Sequence, residues 1–193
     1  MLVTESMLDK IAEATQIRES LAKSFLVKAA AADLDAKFDI FLSHAYVDRK
    51  KIRALKTWIE ESTNLSVYVD WIIDKDLDRS NVSEETASRV RRRMENSGAL
   101  IFAIPELKSQ SKWMQWELGY FDGFCGRVAI LPVLNSVRKA FRGQEYLGLY
   151  PYIDVSKDVG GNYGFFVNHQ RYEKTYRSLK VWAQTGKLVR HRA

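Results

Sequence analysis

The chain has a single cysteine, Cys125, and only three histidines, His44, His169 and His191. One thiol excludes an intrachain disulfide and fits a reducing compartment, so a cytoplasmic protein is expected. The same scarcity leaves no zinc-ligand spacing, and no metal site is expected. No apolar run approaches the ~20 residues that span a bilayer, so no membrane partner is expected. Glu5, Asp9 and Glu13 stand where an export signal needs positive charge. Glycine-rich phosphate loops are missing as well. No G-x-G-x-x-G follows the first strand and no G-x-x-x-x-G-K-[ST] occurs, which argues against redox dinucleotide enzymes and P-loop NTPases.

Its 193 residues, 46% hydrophobic and 28% charged, suffice for one core with room for an appendage. The net charge of +6 favours an anionic partner without naming one. Asp70, Asp74, Asp76 and Asp78 cluster in one loop, and Arg89, Arg91, Arg92 and Arg93 in the next helix, while Lys187, Arg190 and Arg192 form a basic tail. Charge runs are usually solvated faces. A nucleic-acid groove needs basic residues interleaved with aromatics over a longer stretch, so nucleic acid is not expected as a partner. Asp74, Asp76, Asp78 and Glu85 imitate a calcium loop, but Arg79 stands where that loop needs glycine and a strand precedes it.

Hydrophobic spacing outlines the elements. Leu8, Ile11, Ile17, Leu21, Phe25 and Ala29 predict one helix over 7–32, with Ser6 as its N-cap. Residues 33–37 are a polar break, and from Phe38 strand and helix alternate. Phe38–Ser43 is an apolar run too short for a helix, Ile52, Leu55, Trp58 and Ile59 mark a helix, and Leu65–Asp70 reads as strand. Ser83–Asn96 predicts a helix with Ser83 as N-cap, Glu84 and Glu85 in its first turn, and Gly98 just past its end. Gly98–Ile104 and Arg127–Val133 are strands halted at Pro105 and Pro132, flanking a helix over Lys112–Phe124 capped by Ser111. Tyr150–Val155 is a fifth strand and Asp158–Gly164 a glycine-rich loop. A last helix is expected over His169–Ala183, with Tyr172, Tyr176, Leu179 and Trp182 on one side.

Such alternation implies a parallel sheet with helices on both faces. Right-handed crossovers leave few arrangements, of which the order 2-1-3-4-5 is the commonest small one. The expected fold is α/β: a flavodoxin-like, doubly wound, five-stranded parallel sheet. Residues 1–36 are expected as an N-terminal helical extension, and 37–193, C-terminal helix included, as the main domain.

A sheet of that order binds ligands beyond the carboxyl ends of its first and third strands. Ser43 and His44 end the first, Pro105–Ser111 follow the third, and that loop feeds the helix carrying Glu117. Three separate segments therefore converge on one crevice. Taken singly, Ser43 reads as a helix cap and His44 as a satisfied loop histidine. Glu117 lies one helical turn after Trp113, so acid and indole sit side by side, with Tyr120 on the same face. Aromatics at helical spacing are usually core. Glu117 reads either as a desolvated carboxylate put to use or as an acid paired with an Arg or Lys.

In their order and spacing these segments resemble the Toll/interleukin-1 receptor (TIR) domain, in the bacterial form that consumes NAD. Phe38-Asp39-Ile40-Phe41-Leu42-Ser43-His44 is similar to the family's first strand, and Ser111-Lys112-Trp113-Met114-Gln115-Trp116-Glu117-Leu118 to its Trp-x-x-x-Glu catalytic motif. Val69-Asp70-Trp71 through Val82 resembles the long loop after strand two, and Arg127–Val133 the fourth strand, within a likeness running from about Lys37 to Val155. The resemblance implies a catalytic Glu117, with Ser43, His44, Asp70, Trp71 and Trp113 binding substrate. It also implies that the loop after strand two borders the site and makes head-to-tail contacts in a homo-oligomer. NAD+ would be the substrate, with no cofactor. The products would be nicotinamide and ADP-ribose, or a cyclic or conjugated ADP-ribose, serving antiphage defence through a separate effector or through NAD loss. Against larger members of the family, the chain is expected to act without a fused sensor or effector domain, as a stand-alone signal producer.

One carboxylate suffices for that chemistry. Ordinary glycoside hydrolysis needs two, because an alkoxide leaving group must be protonated. Nicotinamide departs from a cationic pyridinium as a neutral molecule, leaving only the ribosyl cation to stabilise. An aromatic wall would stack the nicotinamide ring. The alternatives are a non-enzymatic TIR module acting by protein–protein contact, and an enzyme resembling nucleoside deoxyribosyltransferases, which also set a glutamate at a glycosidic carbon.

Overall fold

Apolar, β-branched and aromatic runs build the central sheet. The computed structural model describes residues 1–16, 29–31, 33–44, 49–77, 82–105, 112–136, 141, 145–157 and 161–191. The sheet's main parallel strands are β2 (Phe38–His44), β3 (Val67–Tyr68), β4 (Ser97–Pro105), β5 (Val128–Leu134) and β6 (Tyr152–Lys157), ordered β3-β2-β4-β5-β6. Counting those five alone, this is the 2-1-3-4-5 arrangement. Ile40, Phe41 and Leu42 of β2, Ala99–Ala103 of β4 and all of β5 are buried, as expected where helices cover both faces. The helices between these strands include α2 (Arg49–Thr63), the single turn α3 (Asp70–Ile73), α4 (Glu84–Glu95) and α5 (Lys112–Phe124).

Among the described residues the sheet has nine strands, not five. Beyond β6 it continues antiparallel through β7 (Tyr163–Asn168), β8 (Thr175–Ser178) and β9 (Val189–Arg190). The helix expected over His169–Ala183 is therefore confined to α6 (Leu179–Thr185). Helical spacing misleads here because two of its aromatics face elsewhere: Tyr172 is 62% exposed and Tyr176 stacks on His191 at 4.1 Å. The operative period in β7 is two, with Phe165 and Val167 buried and Phe165 meeting Trp58 of α2 at 4.8 Å. Gly161 and Asn162 of the expected glycine loop precede β7, while 158–160 lie outside the described residues.

At the other end of the chain, β1 (Val3–Thr4) pairs with Val133 and Leu134 of β5. Strand β6 is in ladder register with β5 at Ile130 and Tyr152, beyond which β1 lies between the two strands, paired to β5 and bonded through Met1 to Val155 of β6. The Met1 backbone exchanges two hydrogen bonds of 2.8 Å with Val155, and its amine pairs with Asp154 at 3.3 Å. Thr4 then caps α1 (Glu5–Gln16) by accepting from the Met7 N–H, in place of the expected Ser6. Leu2, Val3 and Leu8 are buried, α1 packs along α2, and Lys51 meets Glu5 at 2.6 Å. The expected continuation of this helix through 17–28 and residue 32 lies outside the described residues.

Helix α4 begins as expected, with Ser83 accepting from the Thr86 N–H at 3.1 Å. Gly98 does not terminate it but sits inside β4, where a Cβ would come within 3.1 Å of the Asp39 carbonyl. The second strand is shorter than Leu65–Asp70, because Asp70 already opens α3.

The opposed charge clusters turn out to be partners within the chain. Asp74 and Arg93 are both fully buried and meet at 2.7 Å, and Arg89 reaches both Asp74 at 3.2 Å and Asp76 at 2.8 Å. Arg92 pairs with Asp35 at the surface. Asp78 lies outside the described residues. Among the described residues, no helix is long and apolar enough to cross a membrane.

Candidate active site

Successive residues of a strand point to opposite faces, so the end of β2 sends its last two side chains to different helices. Ser43, 1% exposed, turns to α5 and donates from Oγ to Oε2 of Glu117 at 2.6 Å. Glu117 is fully buried on the α5 face that also carries Met114, Leu118 and Phe121. A carboxylate in such company is costly without hydrogen-bonding donors, and the Ser43 hydroxyl supplies one.

His44 turns to α3. The Trp71 indole N–H donates to its Nε2 at 3.0 Å, and indole can only donate. Nε2 therefore accepts, and the ring proton sits on Nδ1, which donates to the Leu42 carbonyl at 3.1 Å. This is the neutral tautomer. Asp70 Oδ1 lies 3.9 Å from the same Nε2, beyond hydrogen-bond range. Asp70 is buried, and Trp71 half-buried.

Two residues not foreseen from the sequence complete this wall. The guanidinium carbons of Arg49 and Arg53 lie 5.3 and 5.7 Å from the Trp71 ring centre, at cation–π distance. The sequence did carry a signal for them. Arg49, Lys50 and Lys51 open α2 with no acid in its first turn, against the preference for negative charge at a helix start.

The face expected to unite Trp113, Glu117 and Tyr120 is divided. Trp113 meets Trp116 edge-on at 5.3 Å, Trp116 stacks on Tyr120 at 5.8 Å, and Tyr120 leads to Phe124 at 5.5 Å. Steps of three and four residues keep this ladder on one stripe, while Glu117, ~100° onward from Trp116, points into the core. The Tyr120 hydroxyl donates to Glu95 of α4.

The structure thus joins Ser43 to Glu117 of α5 and, from the next residue of β2, sets His44 against Trp71 and Asp70 of α3, with Trp113 on the aromatic ladder of α5. Ser111 and residues 106–110 of the expected loop lie outside the described residues. Among the described residues, no group of three or more His, Cys, Asp or Glu side chains could hold a metal ion.

The family model described as "Thoeris protein ThsB, TIR-like domain" matches residues 41–133, which include every residue of this site. A Bacillus cereus (strain MSX-D12) protein named "Probable 3' cyclic ADP-D-ribose synthase ThsB'" is 48% identical over 153 residues, 79% of this chain and 78% of that one. A Cytobacillus dafuensis protein named "Putative cyclic ADP-D-ribose synthase TIR2" is 33% identical over 84 residues, 43% of this chain and 22% of its own length. Likeness of that depth, over most of both chains in the first case, makes this protein a member of the ThsB TIR-like family.

Proposed function

We propose that the protein is an NAD+-consuming cyclase, which breaks the nicotinamide–ribose bond and closes the remaining ADP-ribose on itself as a signal in antiphage defence. The observation that carries this reading is the fully buried Glu117 carboxylate, held by Ser43 at the carboxyl end of β2. Breaking the bond between the ribosyl carbon and the pyridinium nitrogen sends the electron pair to nitrogen, and nicotinamide leaves neutral. The positive charge left on the ribosyl carbon is stabilised by a carboxylate already oriented in a dry site. A nucleophilic group of the same molecule then attacks that carbon and releases one proton, for which Glu117 is the acceptor. NAD+ is thereby converted to nicotinamide, cyclic ADP-ribose and a proton.

Burial of Glu117 favours closure over hydrolysis, because water is kept from the cation. The names of both relatives support a cyclic product. On the other wall, Arg49 and Arg53 over Trp71 supply positive charge suited to an anionic dinucleotide. Head-to-tail self-association and a separate effector that senses the product belong to the same reading, on the strength of the family likeness. Incubation with NAD+ followed by chromatography of the products tests it. Nicotinamide and a cyclic ADP-ribose are expected from the wild type and neither from Glu117→Gln; NAD+ left intact by the wild-type protein overturns the reading.

A further inference from the structure

Helix α3 has four residues, too few to hold a helical turn unaided, yet it presents Asp70 and Trp71 to the site. Its far end is fixed by Asp74, whose backbone N–H donates to the Asp70 carbonyl at 2.6 Å. The Asp74 side chain is fully buried and accepts four hydrogen bonds. Arg93 donates from Nε to Oδ2 at 2.9 Å and from Nη2 to Oδ1 at 2.7 Å, the Tyr68 hydroxyl donates to Oδ2 at 2.7 Å, and Arg89 to Oδ1 at 3.2 Å. A carboxylate offers about four acceptor positions, so this one is saturated. Arg93, equally buried, directs its other donors to the carbonyls of Asp33 at 2.7 Å and Ala30 at 3.0 Å. Stability alone does not call for such a pair, since apolar residues of similar volume often serve as well or better. A two-pronged guanidinium–carboxylate contact does fix one orientation, which an apolar contact cannot.

We propose that Asp74 and Arg93 are positioning residues for the substrate-binding wall: their ion pair holds α3 so that the Trp71 indole meets His44, and ties this wall to the chain at Ala30 and Asp33. The proposal rests on the cyclase reading above, in which the wall of Trp71, Arg49 and Arg53 takes the anionic dinucleotide. Ser43 and Glu117 stand on β2 and α5, outside the ion pair. The pair therefore governs how substrate is held, and not the charge that assists bond breaking.

Two variants test this. Arg93→Lys keeps the charge and loses the fork. Tyr68→Phe keeps the ring stacked on Phe41 and removes one donor, so it remains informative if Arg93→Lys does not fold. Each is compared with wild type in steady-state kinetics on NAD+ and in nitrogen-15 spectra of the indole N–H groups, the Trp71 signal being assigned by its loss in Trp71→Phe. KM is expected to rise about tenfold in Arg93→Lys and about threefold in Tyr68→Phe, with kcat held within about twofold. The Trp71 signal is expected to shift in both. A merely structural pair would lower the folded fraction, and with it the apparent kcat, while KM and the Trp71 signal stayed put; that result overturns the proposal. The indole signal is read without turnover. A shifted Trp71 signal in a protein that leaves NAD+ intact would therefore reject the cyclase reading and uphold the positioning role.

Discussion

Ser43 Oγ and Glu117 Oε2 stand 2.6 Å apart although 74 residues separate them in the chain. The bond joins the end of a strand to the middle of a helix, and it orients the one acid buried between them. Glu117→Gln should preserve the fold and reduce NAD+ cleavage by at least about a hundredfold, the scale of losing a charge aimed at the transition state. Ser43→Ala should cost about ten- to a hundredfold in kcat, as for a hydrogen bond to a charged group, with KM little changed. Product assays alongside circular dichroism check both, and a well-folded Glu117→Gln protein with near-normal turnover would remove Glu117 from the chemistry.

Trp113 meets its neighbour edge-on and is only half-buried. Trp113→Ala should therefore lower stability by about 1–2 kcal/mol, from the lost ring contact and part of its apolar area. A further fall in kcat/KM beyond that expected from the folded fraction would identify stacking on substrate. Denaturant titration and kinetics on one preparation separate the two effects.

Asp74 is expected to make stability pH-dependent. Burial alone would raise its pKa, but hydrogen bonds from Arg93 and Tyr68 and the charges of Arg93 and Arg89 outweigh burial and hold the carboxyl below its ordinary 3.8. With the folded value depressed, the unfolded chain takes up the proton first as pH falls. The stabilisation is thus complete well above 3.8 and is lost as pH drops through the lower, folded value. Asp74→Asn should cost about 3–5 kcal/mol at neutral pH, because it leaves Arg93 buried without its counter-charge. Urea midpoints of wild type and variant should converge below pH 3.8, and a gap that stayed constant into strong acid would count against this account.

Self-association is expected to leave the acids around α3 unequal. Asp76 is exposed and paired with Arg89, so Asp76→Lys should fold normally, whereas Asp74→Lys should not. If head-to-tail contacts complete the site, activity per molecule should rise from nanomolar to micromolar protein. Specific activity that is flat over that range, in a sample shown to be monomeric by sedimentation, would dismiss the assembly mechanism.

Much of the parallel core was legible because its signals are local. Phe38–His44, Ser97–Pro105 and Val128–Leu134 are apolar runs bounded by turns, and Ser83 announces α4 through its own side chain. Glu117 was legible as an acid among rings, but its face was not, because spacing alone does not say which of two adjacent stripes meets the sheet. Arg93 looked like one member of a solvated charge run; its partner Asp74 lies 19 residues earlier and meets it only in the folded chain. β8 and the two-residue β1 are too short to show periodicity, and Tyr172, Tyr176, Leu179 and Trp182 mimic a helix by coincidence of spacing.

The fork between β5 and β6 bears on the order in which the sheet is completed. Val3 and Thr4 pair with Val133 and Leu134, and Met1 bonds Val155 across a separation of 154 residues. Loop closure over such distances is slow compared with local pairing. Pairing of this segment is therefore expected to follow that of β2, β4 and β5, so that its docking closes the fork last.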